Sequence, residues 1–233
     1  MSRLRPLHFL ALALLLSACS SASVAPQAKP RVPDQVSNAV WEQDMQRFAA
    51  EDALAMPAPG GVVFVGSSSI RMWDTLAKDF PGVPVINRGF GGSEIRDSTW
   101  YAGRIVVPYA PRQVLIYAGD NDLFSGRTPT QLRDDFRAFV SRVRRDLPDA
   151  RIAYISNKPS PSRANLLAAQ REANALIQSE AVRLKVDFID IFTPMLDARG
   201  QPREDLFIED RLHMNAKGYA IWREIIAPYL TVH

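Results

Sequence analysis

The chain has 233 residues, 47% hydrophobic and 23% charged, enough for one domain with a substantial core. Lys and Arg total 28 against 25 Asp and Glu, and no basic stripe with interleaved aromatics occurs, so nothing implies a nucleic-acid partner. A single cysteine excludes an intramolecular disulfide and a thiolate metal cluster.

At the N-terminus, Arg3 and Arg5 precede an apolar run from Leu7 to Leu16. The run is too short for a bilayer core of roughly 30 Å, so residues 1–18 read as a secretory signal peptide. It ends in Leu16-Ser17-Ala18-Cys19, which resembles a bacterial lipobox. That resemblance implies an acyl chain on Cys19 and membrane attachment through it. The uncharged Ser20 implies sorting to the outer membrane, facing the periplasm of a Gram-negative cell. Residues 19–35 carry three prolines among small polar residues and are expected to form a flexible tether. A single domain is expected over 36–233.

Val40, Trp41, Met45, Phe48 and Leu54 have helical spacing, which predicts a helix over 36–55. Short apolar strands are expected over 62–65, 83–86, 113–117, 151–156 and 186–191. Helices are expected between them over 70–80, 94–107, 129–147 and 162–184, with a closing helix over 216–230. Continuous apolar strands alternating with helices predict a parallel sheet of about five strands inside a three-layer α/β/α sandwich. Sites in such folds lie at the carboxyl ends of the strands.

Those ends carry Gly66-Ser67-Ser68-Ser69, then Asn87-Arg88-Gly89-Phe90-Gly91-Gly92-Ser93, then Gly119-Asp120-Asn121-Asp122. Glycines there admit a ligand close to the backbone, and serines suit helix caps. Of the three histidines, His8 lies in the signal and His233 is the last residue. His213 is therefore the candidate base, and Asp210, three residues earlier, can reach its ring N–H and fix its tautomer.

Taken in order, these segments resemble the SGNH hydrolases, also called GDSL esterases and lipases. With Lys158-Pro159-Ser160-Pro161-Ser162-Arg163, the pattern looks like a bacterial branch of that superfamily. The likeness spans Gly61 to His213 and implies the flavodoxin-like sandwich. It implies Ser68 as nucleophile, His213 as general base and Asp210 as its orienting carboxylate. Oxyanion donors would be the Ser68 and Gly92 backbone N–H groups and the Asn121 side-chain amide, with Gly91 the alternative to Gly92. The usual Gly-Asp-Ser-Leu reads Gly66-Ser67-Ser68-Ser69 here, a change that the chemistry tolerates. Ser67 and Ser69 are expected to cap or turn the chain, and Asp122 to hold its loop. Trp73 and Trp100 are expected in the core. Arg71, Arg88, Arg96 and Arg163 lie near the strand ends; each is a candidate to meet an anionic group on a substrate, and the plainer expectation for any one of them is a carboxylate partner or solvent.

Competing patterns fail. Gly89-Phe90-Gly91-Gly92-Ser93-Glu94 ends in Glu94 where a dinucleotide loop needs Gly or Ala, and no Gly-Lys-Ser/Thr occurs. The Gly-x-Ser-x-Gly elbow is absent, since position 70 is Ile. One usable histidine cannot build a zinc site. The expectation is a serine ester hydrolase with no cofactor and no metal. Its substrates would be small or water-soluble acyl esters, acylated glycans or lysolipids, since no long apolar lid is visible. The competing expectation is a non-catalytic, lipid-anchored envelope protein that binds glycan or lipid.

Overall fold

The computed structural model describes residues 39–230. The expected signal peptide, Cys19, the tether and His233 lie outside the described residues. Five strands, β1 (Val62–Gly66), β2 (Val85–Gly89), β3 (Gln113–Tyr117), β4 (Arg151–Ile155) and β5 (Asp187–Ile189), form one parallel sheet in the order β2-β1-β3-β4-β5. Successive side chains on a strand face opposite ways. Val63, Val65, Val114, Ile116, Ile152 and Tyr154 therefore share one core with α1 (Ala39–Leu54), α4 (Ile95–Ile105), α6 (Pro129–Asp146) and α7 (Leu167–Leu184). Val62, Phe64, Leu115, Tyr117, Ala153, Ile155 and Ile189 share the other with α2 (Ser68–Arg71), α3 (Leu76–Asp79) and α8 (Ala216–Ile226). Both faces are covered, which gives the expected three-layer sandwich. Among the described residues, no helix is long and apolar enough to cross a membrane.

The register positions the site. Gly66 pairs with Gly89 on β2 and with Tyr117 on β3, so three strands end at one level. Gly66 has φ +136°, and a Cβ there would lie 1.8 Å from the Tyr117 carbonyl oxygen. Only glycine lets the chain leave β1 at that point.

Several boundaries depart from the sequence expectations. The second strand runs over Val85–Gly89, not 83–86. Its polar residues are paired locally: the Asn87 amide donates to the Ile70 carbonyl at 2.7 Å, and Arg88 reaches Asp52 at 2.6 Å and the Tyr109 hydroxyl at 2.6 Å. The expected single helix over 70–80 is two short pieces, α2 and α3. Between them, Trp73 turns into an aromatic cluster with Phe64, Phe80 and Trp222. Its indole N–H and the Thr75 hydroxyl both donate to Asp79, at 2.7 and 2.6 Å. A short helix, α5 (Asp120–Phe124), was not expected from the sequence. The helix expected over 162–184 opens as a 3-10 segment, Pro161–Leu166, in which Arg163 is non-helical. Trp73 is core, but Trp100 is 38% exposed, contrary to expectation. It lies on an amphipathic helix, and its side chain falls outside the buried stripe of Ile95, Ser98, Tyr101, Ala102 and Ile105.

Candidate active site

Of the three adjacent serines, Ser68 is half-buried while Ser67 and Ser69 are buried. Ser67 occupies the N-cap position of α2 in extended backbone, yet its hydroxyl caps no N–H. The hydroxyls of Ser67 and Ser69 have no hydrogen-bond partner among the described residues. The expected capping role is therefore not what these hydroxyls do. Ser68 is the first residue of α2, and its Oγ meets His213.

His213 Nε2 lies 2.9 Å from Ser68 Oγ, and His213 Nδ1 lies 2.6 Å from Asp210 Oδ2. The carboxylate accepts the Nδ1 proton, which leaves Nε2 able to accept from the serine hydroxyl. Asp210 Oδ1 also accepts the backbone N–H groups of Leu212 and His213, both at 2.9 Å. Burial acts to raise the Asp210 carboxyl, but these backbone bonds and the His213 ring outweigh it and hold the group down at about 2. The turn is closed by the Ile208 N–H donating to the His213 carbonyl at 2.9 Å and by the Phe207–Met214 bridge. Arg211, inside it, takes a left-handed φ of +57°. That conformation is costly for a non-glycine residue and survives only where its surroundings hold it. Here its carbonyl accepts the Ser162 N–H at 3.0 Å and its guanidinium pairs with Glu204 at 2.5 Å. Asn215, just beyond, caps α8 through Lys217 and Gly218.

The other two loops are laced together. Asn121 Nδ2 donates to the Ser93 carbonyl at 3.0 Å, Asp122 Oδ1 accepts the Ile95 N–H at 3.1 Å, and Ser125 donates to Glu94 at 2.7 Å. Asp122 thus ties α5 to the start of α4, a loop-holding part as expected. Burial, with Glu94 nearby, pushes the Asp122 carboxyl well above the usual range. Gly92 is exposed at φ +76°, and a Cβ there would meet nothing within 4 Å, whereas Gly91 backs onto the Arg71 guanidinium. The Gly91 carbonyl also accepts the Trp41 indole N–H at 2.9 Å.

The four arginines have distinct fates. Arg88 is buried on Asp52, and Arg96 pairs with Glu94 at 2.6 Å. Arg71 is exposed and lines a groove of about 550 Å³ with Arg47, Glu51 and Arg88. Arg163, singled out from the sequence without an assigned partner, is buried and bonds to Asn121.

Residues 61–221 match the family model described as the GDSL-like Lipase/Acylhydrolase family. The chain belongs to that family. Solved structures agree on the fold. A Streptococcus pneumonia protein described as a platelet activating factor is 20% identical with a TM-score of 0.72, over 82% of this chain and 93% of that one. A GDSL-like lipase from Bacteroides thetaiotaomicron is 21% identical with a TM-score of 0.68, over 79% and 96%. A mutant acetyl-xylooligosaccharide esterase from Geobacillus is 14% identical with a TM-score of 0.59, over 74% and 94%. At these identities the likeness speaks for the fold alone. No curated protein matches the chain.

Proposed function

We propose that this protein hydrolyses esters of small or water-soluble acyl groups through an acyl-enzyme on Ser68. The observation that carries the reading is the chain of contacts from Asp210 through His213 to Ser68, 2.6 and 2.9 Å. A serine hydroxyl is a weak nucleophile until a positioned base takes its proton. As Ser68 Oγ bonds to the ester carbonyl carbon, His213 Nε2 takes that proton and Asp210 stabilises the imidazolium. The carbonyl π electrons move onto oxygen, and this oxyanion is met by the Ser68 and Gly92 N–H groups and the Asn121 amide. The oxyanion collapses, the bond to the alcohol oxygen breaks, and His213 protonates the departing alcohol. Water then adds to the acyl-enzyme by the same route, releasing the carboxylic acid and restoring the Ser68 hydroxyl.

Acetylated sugars are one substrate class to test, since one structural neighbour is an acetyl-xylooligosaccharide esterase. In this reading the enzyme works from the cell envelope, tethered through an acylated Cys19 on the lipobox-like run Leu16–Cys19. Hydrolysis of p-nitrophenyl esters of increasing acyl length, alongside acetylated xylo-oligosaccharides, tests the reading. Activity highest on acetyl esters and abolished by Ser68→Ala is the expected result. No turnover of any ester by the unmodified protein would favour a binding protein instead.

A further inference from the structure

Asn121 stands on α5, in the segment that follows β3, and a primary amide there can point either of two ways. The choice here is made from behind. Arg163 Nη2 donates to Asn121 Oδ1 at 2.9 Å, so the Nδ2 group must face the other way, towards the Ser93 carbonyl at 3.0 Å. One Nδ2 hydrogen goes to Ser93, which leaves the second for a ligand.

The guanidinium is itself held. Its Nη1 lies 3.2 Å from Asp120 Oδ2, and the same oxygen accepts Lys158 Nζ at 2.9 Å. Lys158 and Asp120 are almost wholly buried, and the Arg163 side chain is 9% exposed. Lys158 also donates to the Tyr117 hydroxyl at 3.3 Å, and Phe124 covers the guanidinium at 4.6 Å from its ring centroid. Burial acts to raise the Asp120 carboxyl, but Lys158 and Arg163 outweigh it and keep the group below its usual range. The cluster therefore holds two cations and one anion, with the surplus positive charge against the carbonyl end of the Asn121 amide. A charge there withdraws electrons from Oδ1 and makes the Nδ2 hydrogens better donors. The low-dielectric setting strengthens this effect. The segment carrying Arg163 also touches the histidine turn, through the Ser162 N–H to the Arg211 carbonyl at 3.0 Å.

We propose that Arg163 is a positioning residue for ester hydrolysis: it fixes the orientation of the Asn121 amide and polarises it towards the oxyanion. The inference rests on the reading of Ser68 and Asn121 given above. It predicts a loss confined to the transition state, because a neutral ester carbonyl gains little from a stronger donor and an oxyanion gains much.

A double-mutant cycle on p-nitrophenyl acetate tests it, with Arg163→Met, Asn121→Ala and the pair. Arg163→Met should lower kcat about tenfold with KM within about twofold, less than the loss of the donor itself. In the Asn121→Ala background the same change should lower kcat by less than about twofold. Arg163→Lys keeps the cation but not the planar fork, so it should fall between the wild type and Arg163→Met. It also supplies the cycle should the Met variant fail to fold by thermal melting. Equal fold losses with and without Asn121 would overturn the proposal, as would a raised KM at unchanged kcat, which would make Arg163 a substrate contact. If Ser68→Ala retained activity, the underlying reading would fail instead, whatever Arg163 does.

Discussion

At the scale of single residues, chemistry is divided among neighbours by exposure. Three serines in a row have the same hydroxyl, yet only Ser68 is partly exposed and within 2.9 Å of an imidazole. Asn121→Ala should lower kcat by ~10²–10³ with the fold intact, as expected for a lost side-chain oxyanion donor, and steady-state kinetics on p-nitrophenyl acetate would show it. Asp210→Asn should cost ~10²–10⁴ in kcat, because the amide no longer selects the tautomer that leaves Nε2 free to accept. The Asp210 carboxyl, held at about 2 against an ordinary 3.8, is ionised wherever the protein is folded near neutral pH. Its lowered value favours the folded state above about pH 4, and that contribution disappears as pH falls towards 2. Asp210→Asn should therefore lower the height of the rate profile across the neutral range, where the wild-type carboxyl is ionised.

At the scale of elements, the loops after β1, β2 and β3 form one network because their strands end level. Asp122 lies at its centre, buried, with its carboxyl pushed up. A carboxyl whose folded-state value is raised stabilises the fold while protonated and loses that advantage as pH rises through the raised value. Stability of the wild type should therefore decline on the alkaline side of the usual carboxylate range. Asp122→Asn, which still accepts the Ile95 N–H, should flatten that decline. Thermal melts from about pH 5 to 9 would measure it. Much of this level was legible in the sequence where burial is two-sided: the third strand, Gln113–Tyr117, falls where its apolar run predicts. The second strand was misplaced because Asn87 and Arg88 look like loop residues until Ile70, Asp52 and Tyr109 are seen to satisfy them. The break between α2 and α3 was hidden for a similar reason, since only the packing of Trp73 against Phe64 reveals it. Ser68 and Asn121 could be singled out at the strand ends through the family resemblance, and His213 with Asp210 because the other two histidines lie in the signal and at the last position. Arg163 could be noticed but not assigned, because its partners are 42 and 43 positions away in the chain.

At the scale of the molecule, a sheet buried on both faces fixes a rigid platform and leaves function to the loops along one edge. The buried ion cluster under Asn121 extends that platform to the site. Replacing Cys19 by Ser should shift the protein from the membrane fraction to the soluble fraction of the cell, with hydrolysis of a soluble ester retained; unchanged fractionation would argue against lipid attachment. The proposed nucleophile is one oxygen atom, Ser68 Oγ. Treating the protein with a serine-directed fluorophosphonate and locating the adduct by peptide mass spectrometry would identify it. A single adduct on Ser68, formed far more slowly in His213→Ala, is the expected result. An adduct on Ser67 or Ser69, or equal labelling without His213, would contradict it.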